Sequence, residues 1–333
     1  VFDHPTARQL VSLLDAGGSR ATPEAAKPLG AATTAKGGSA SVRAWGSVLP
    51  QGASGALAGW RLAACGCDAL GQVPATRWEA GGALPLQVPA MRHGGFVRDA
   101  QRFDHRFFGI ASAEAAVMDP QQRLLLEHAY AALHGAGLRR AALMGGGTGV
   151  FVGVWAPEYA EVLRDSPAGS SVYAGTAATC SVVVGRVSFA LGLQGPCVSF
   201  DTACSSGLAA AHGGVRALQH AECGEAVAAG VNMVFSPGAC AGMALAGMTS
   251  PTGRSHTFDA RADGYARGEA CCGAALVPAA DRMTVLRGSA VRQDGRSASL
   301  TAPNGAAQQG LLRAALGEAG ASAAEAACVE AHG

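Results

Sequence analysis

Apolar residues in this chain fall into two kinds of block, separated by turn-forming glycines and prolines. Short, nearly unbroken runs at residues 148–154 and 226–234 read as strands buried on both faces. The run at 197–202 is a further strand, and 41–49 is the first of the series. Residues 73–78 read as an extended segment, 271–277 and 285–291 as strands able to pair, and 328–331 as the opening of a last strand. Longer segments with apolar positions three and four apart read as helices over 56–64, which carries Trp60, and over 120–135, 176–191, 205–220 and 305–319. The segment 120–135 is the best defined, with Asp119 as N-cap, Pro120 in the first turn, Leu124, Leu125, Ala129 and Leu133 on one side, and Gly135 at its end. The helix over 176–191 is expected to stop near Gly192, and 81–90, with two prolines, to be a loop. Buried strands alternating with helices predict an α/β fold built on a mainly parallel sheet. Residues 15–40 are rich in Ala, Gly, Ser, Thr and Lys without periodicity and read as a linker.

Composition narrows the classes. A chain of 333 residues has room for one large domain or two ordinary ones. The net charge is +1, only 15% of residues are charged, and the basic ones are scattered, so no nucleic-acid footprint is expected. No apolar run approaches the roughly 20 residues of a membrane span. The 10 cysteines do not read as a disulfide framework in a large chain without a secretory signal. Cys65 and Cys67, and likewise Cys271 and Cys272, are spaced too closely for the usual zinc pairs, and most of the cysteines are expected to be small buried hydrophobes. A reducing compartment, cytoplasmic by default, follows. Organellar targeting stays open, since the chain begins with Val rather than Met.

The candidate chemistry lies at residues 201–206, Asp-Thr-Ala-Cys-Ser-Ser. An apolar run ending at Phe200 leads in and a small-residue helix leads out, so Cys204 sits where a buried strand turns into a helix. Free backbone N–H groups at such a helix start favour a thiolate, the form in which cysteine is nucleophilic. Far downstream stands His332, and a cysteine with a distant histidine is the minimum kit for thioester chemistry. A buried structural cysteine is the bland alternative for Cys204. His212 lies about two helical turns from Cys204 and reads as structural. Asp201 and Thr202 are expected to hold the turn, Ser205 and Ser206 to cap the helix, and Arg267 and Glu269 to form a structural ion pair in a loop.

Further motifs occur in a fixed order. Arg92-His93-Gly94-Gly95-Phe96 precedes Phe103-Asp104 and Phe107-Phe108-Gly109-Ile110, and then Met118-Asp119-Pro120-Gln121-Gln122-Arg123. Gly185-Arg186-Val187-Ser188 and Leu191-Gly192-Leu193-Gln194-Gly195-Pro196 lead to the cysteine segment. After it come Gly253-Arg254, Thr257-Phe258-Asp259, Asp263-Gly264-Tyr265, Arg267-Gly268-Glu269, Arg287-Gly288-Ser289-Ala290, Gln293-Asp294-Gly295-Arg296, Leu300-Thr301-Ala302-Pro303-Asn304-Gly305 and Glu330-Ala331-His332-Gly333. From about residue 41 onward the chain resembles a β-ketoacyl synthase, the condensing domain of modular polyketide and fatty acid synthases. Residues 1–14, opening Val1-Phe2-Asp3-His4-Pro5-Thr6, resemble the tail of an acyl carrier domain. The expected organisation is therefore a carrier remnant at 1–14, a linker at 15–40 and a ketosynthase domain at 41–333, with both ends cut from a longer polypeptide.

The resemblance implies a thiolase-like fold, an αβαβα layered sandwich of two similar halves, the first complete to about Met283 and the second only begun. It implies Cys204 as the acylated nucleophile, its backbone N–H as part of an oxyanion hole, and His332 as activator of the donor for decarboxylation. Thr301 and Asn304 are possible lining of the acyl channel, although turn formation accounts for the same residues. Residues 118–127 are expected to support the core and a dimer. No cofactor or metal is expected on the domain itself; substrates would ride on the phosphopantetheine of an acyl carrier domain. Partners would be that carrier, neighbouring synthase domains and a second copy. The chain departs from the family pattern at Gly207, often serine, and at Ala270 and Cys272, often glycine. A thiolase-type acyltransferase and a non-catalytic scaffold are the alternatives.

Overall fold

A computed structural model describes residues 38–78, 89–155, 157–256, 259–279, 284–330 and 332. The expected carrier remnant, nearly all of the linker and most of the loop at 81–90 lie outside the described residues. The strands are β1 Ala40–Leu49, β2 Ala53–Ser54, β3 Gly71–Gln72, β4 His93–Gly94, β5 Gly149–Val154, β6 Cys197–Phe200, β7 Ala226–Asn232, β8 Ala270–Pro278 and β9 Thr284–Leu286. The helices used below are α1 Gly55–Ala64, α2 Ser112–Val117, α3 Pro120–Gly135, α4 Pro157–Arg164, α5 Ala174–Ala177, α6 Cys180–Leu191, α7 Ser206–Gln219, α8 Pro237–Leu245 and α9 Gly305–Ala319.

One seven-stranded sheet runs β2-β1-β8-β7-β5-β6, with β9 also on β1. Alternation along its strands divides two cores. Val150, Val152 and Val154 of β5 face α3 and α6, among Leu125, Leu126, Leu133, Val183 and Leu191. Phe151 points the other way, into a core with Ala210, Val215 and Leu218 of α7. The described chain is thus a helix–sheet–helix sandwich, and every residue of β5 is buried, as its unbroken apolar run predicts.

The sheet is mixed, not mainly parallel. Only β5–β6 and β5–β7 are parallel; β8 pairs antiparallel with β7 and with β1, and β1 pairs antiparallel with β2 and β9. Alternating helices and strands constrain the count of crossovers but not the end from which a strand enters, and the long connection from β7 returns β8 from the opposite end. The segments expected to pair with each other are β8 and β9; instead β1 lies between them and pairs with both. Strand β9 ends at Leu286, short of the expected span, because the chain leaves the sheet to lie on α9: a Cβ at Gly288 would stand 2.5 Å from the Ala315 carbonyl. Residues 73–78 are closed by a turn, with Arg77 N–H donating to Pro74 O at 2.9 Å, rather than extended.

Helix α3 has the bounds expected of it, and the Asp119 carboxylate accepts the Gln121 N–H at 2.8 Å. The neighbouring polar residues explain why the helix expected over 176–191 is broken into α5 and α6. Gln122 Nε2 donates to the carbonyls of Thr176 and Ala177, and Asp119 N–H donates to Ala177 O, so the carbonyls that would continue α5 are already taken. Helix α6 ends at Gly192, as expected, and the structure shows that glycine in the left-handed conformation.

Of the ten cysteines, only Cys223, Cys240 and Cys271 are buried, against the expectation that most would be; six are exposed and none is paired. Cysteine type does not reveal which sheet face carries it: Cys271 points under α3, and Cys272, one residue on, turns to the other face.

Burial is the main reason the Asp119 carboxyl is raised from 3.8 to about 7, only partly offset by its two bonds from Gln121. The folded state holds this proton more tightly than the unfolded chain. Asp119 therefore costs nothing below about pH 4, increasingly destabilises the fold as pH rises towards about 7, and has a constant effect above it. Denaturant unfolding of wild-type and Asp119→Asn proteins should show the variant gaining stability relative to wild type between pH 5 and pH 7.5. A pH-independent difference would contradict the shift.

A Cβ at Gly153 would lie 2.4 Å from Ser206 C and 2.6 Å from Gly207 N, whereas one at Gly207 would meet only Gly230 Cα, at 4.0 Å. Gly153→Ala should destabilise by about 3 kcal/mol or prevent folding. Gly207→Ala should be neutral or gain up to about 1 kcal/mol from helix propensity. Thermal unfolding of the pair checks both.

Candidate active site

Strands β5, β6 and β7 run parallel and in register, with Phe200, Gly153 and Gly230 side by side, so their carboxyl ends open on one edge of the sheet. Such edges collect binding groups in parallel sheets. Cys204 lies four residues past the end of β6, in a single 3-10 turn, Ala203–Ser205, that joins the strand to α7. Ala203 adopts φ +55, a left-handed conformation that costs a residue with a Cβ about 1–2 kcal/mol. This sharp reversal leaves the Cys204 side chain exposed.

Polar groups of the motif hold that reversal. Ser206 is buried, accepts the Thr202 N–H at 2.8 Å and donates to Ala203 O at 2.7 Å. Asp201 Oδ1 accepts the Ala203 N–H at 3.3 Å. Ser205 Oγ sits 2.9 Å from both Thr202 O and Thr202 Oγ1. Asp201 and Thr202 thus hold the turn as expected. The two serines do not cap the helix; their hydroxyls turn back and tie the elbow, since the 3-10 turn already engages the first N–H groups. Among the described residues the Cys204 N–H has no hydrogen-bond acceptor.

The remaining candidates are arranged less compactly. His332 is exposed, and Cys328–Glu330 form no strand, because that stretch has no sheet partner among the described residues; Ala331 itself lies outside them. No hydrogen bond joins Cys204 and His332 among the described residues. Thr301 is exposed. Asn304 caps α9, its Oδ1 accepting from Ala306 N–H at 3.1 Å and Ala307 N–H at 3.3 Å, while its Nδ2 donates to Asp294 O. His212 Nδ1 is 2.9 Å from Ser289 Oγ, and burial together with Arg216 lowers its pKa.

Arg267 and Glu269 do not pair with each other. Arg267 pairs with Glu158 of α4 at 2.6 Å, and Glu269 with Arg77 at 2.9 Å. Both carboxylates are buried; burial pushes the Glu269 carboxyl up, against the pull of Arg77. Sequence reasoning missed Glu158, Arg77 and the close packing of Gly153 and Gly230 under α7. A glycine inside an apolar strand run was the available signal for the last of these. Nothing local marks Arg77 as the partner of a residue 192 positions away.

Comparison with known proteins agrees with this architecture. Residues 41–282 match the model of the β-ketoacyl synthase N-terminal domain and residues 283–333 that of the β-ketoacyl synthase C-terminal domain. The chain is 43% identical over 287 residues to polyketide synthase GfsB of Streptomyces halstedii, covering 82% of this chain and 5% of that protein. It is 41% identical over 298 residues to the pikromycin polyketide synthase component PikAII of Streptomyces venezuelae, covering 86% and 8%. Among solved structures, the ketosynthase from module 6 of the bacillaene synthase of Bacillus subtilis 168 superposes with a TM-score of 0.75 at 28% identity, over 85% of this chain and 49% of that one. The oxazolomycin ketosynthase domain OzmH KS7 of Streptomyces albus JA3453 gives 0.76 at 32%, over 85% and 52%. The chain thus spans a small part of the curated synthases and about half of the solved ketosynthase chains. The fold is thiolase-like, and the N-terminal model alone covers most of the sequence: the chain belongs to the β-ketoacyl synthase family.

Proposed function

We propose that this domain condenses carrier-bound acyl units in polyketide or fatty acid biosynthesis, with Cys204 as the acylated residue. The observation that carries the reading is the exposed Cys204 thiol on a left-handed elbow at the carboxyl ends of β5, β6 and β7. In the first stage the Cys204 thiolate attacks the carbonyl carbon of an acyl thioester on phosphopantetheine. The C–S bond to the carrier breaks, the acyl group stays on Cys204, and the carrier leaves as a thiolate that takes from solvent the proton Cys204 released on ionising. The oxyanion of that step would take the Cys204 N–H, which is otherwise uncommitted among the described residues. In the second stage a malonyl-type thioester loses CO₂ and its enolate carbon attacks the acyl-enzyme, forming the new C–C bond and releasing the Cys204 thiolate. His332 would hydrogen-bond the enolate oxygen during decarboxylation, which requires it to approach Cys204 from its exposed position. Thr301 would line the acyl channel, and Asn304 would shape it through the turn that it caps.

The carrier would be an acyl carrier domain of the same polypeptide, whose tail is residues 1–14, joined through the linker at 15–40. No helix of the described residues is long and apolar enough to cross a membrane. The domain would act as a homodimer. Among the described residues β6 pairs with β5 alone and forms a sheet edge, with Val198 40% exposed on it and Phe189 of α6 88% exposed beside it. Such an edge calls for a partner strand.

Two outcomes test the reading. In the natural polypeptide, Cys204→Ala should abolish loading from an acyl thioester, by at least 100-fold in rate. Six exposed cysteines compete for reagent, so the modified peptide is mapped by mass; an acyl group found on another cysteine would disprove the assignment. Val198→Lys, placing a charge on the open edge, should weaken self-association at least tenfold by sedimentation equilibrium. Unchanged association would move the interface elsewhere.

A further inference from the structure

The segment that follows β7 is held in an unusual way. Four consecutive backbone N–H groups, of Met233, Val234, Phe235 and Ser236, each donate to a buried side chain from another part of the chain. Met233 N–H donates to Gln121 Oε1 at 3.2 Å and Val234 N–H to Glu269 Oε1 at 3.0 Å. Phe235 N–H and Ser236 N–H both donate to Glu158 Oε2, at 2.8 and 3.0 Å. Each carboxylate is in turn neutralised: Glu158 Oε1 by Arg267, and Glu269 Oε2 by Arg77, with Val97 N–H as a further donor at 2.8 Å. The side chains of Glu158 and Glu269 are 4% and 0% exposed.

Two buried ion pairs are a poor way to gain stability. Desolvating both partners roughly cancels their attraction, and apolar residues of the same volume do as well or better. What the pairs supply is a single backbone conformation for residues 233–236. Arg77 also lies over the Phe235 ring at 5.7 Å, and Tyr159 packs against that ring at 5.4 Å between centroids, so the side chain is held along with the backbone.

The place of this strap gives it a role. It leaves β7 at the sheet edge where the elbow leaves β6, with only β5 between them. Two strand spacings are roughly 10 Å. A short acyl group on Cys204 ends before that distance, and a long one reaches it. Building on the reading of Cys204 as the acylated residue, we propose that residues 233–236 form the wall that meets the distal part of the bound acyl chain, and that Glu158 and Glu269 are positioning residues for acyl-chain selection.

The test uses the natural polypeptide as wild type, Glu269→Gln and Glu158→Gln, the two isosteric variants guarding against one of them failing to fold. Cys204 loading is timed by mass spectrometry with an acetyl and a decanoyl thioester in parallel. Loosening the strap should change the decanoyl-to-acetyl rate ratio about tenfold in either variant. A merely structural role lowers the folded fraction and hence both rates together; a ratio within twofold of wild type in the folded variants, whatever the absolute rates, overturns the proposal. Failure of wild type to load Cys204 with either thioester would overturn the parent reading and this one with it, and is told apart by needing no variant.

Discussion

The contact between the backbone of Gly153 and the first turn of α7 sets the terms for the rest of the structure. Gly153 brings no side chain to the carboxyl end of a fully buried strand, so the Ser206–Gly207 peptide settles directly on the sheet. With the helix start pressed that low, only a sharp reversal connects it to β6, and Ala203 takes the left-handed conformation that the reversal demands. Gly230, beside Gly153 on β7, extends the same bare platform under Gly207. Exposure of the Cys204 thiol is then a consequence of packing: the elbow has nowhere to go but outward.

Around this platform buried polar side chains bind backbone groups as well as one another. Asp119, Gln121 and Gln122 sit at the start of α3, fully buried, and tie the carboxyl ends of β5 and β7 to the break between α5 and α6: Gln121 reaches Trp155 O and Met233 N–H, and Gln122 reaches Thr176 O and Ala177 O. Glu158 and Glu269 do the same for the residues after β7. A second joint connects α7 to the later part of the chain. Arg216 meets Glu318 of α9 through two bonds of 2.7 Å, and Glu318 also accepts the Ser289 N–H. The helix that begins at the elbow is thereby anchored at its far end as well, which limits how the candidate thiol moves against the sheet.

The Arg216–Glu318 joint and the two buried pairs differ in kind. Arg216 is 37% exposed and its partner 24%, so solvent screens much of their attraction and the bidentate geometry is what gives the contact direction. The pairs at Arg77 and Arg267 are shielded, and removing one partner would leave a buried charge without compensation. Conformational definition is therefore concentrated at the carboxyl edge of the sheet, where the candidate chemistry sits.

The sequence by itself determined what depends on residues within a turn or two of each other. The bounds of α3 and α9, the Asp119 cap, the stop at Gly192 and the strand-to-helix position of Cys204 were all legible, because capping, helical periodicity and turn geometry are satisfied by near neighbours. Only the tertiary structure decided the direction and order of the strands, the insertion of β1 between β8 and β9, the interruption at α5, the sheet face taken by each cysteine and the separate partners of Arg267 and Glu269. Each of these is fixed by groups far apart in the chain: the carbonyls that would continue α5 are claimed by Asp119 and Gln122, and the Glu269 carboxylate by Arg77. Such competition leaves no trace in local pattern, because the energy that settles it appears only when the distant segments are packed together.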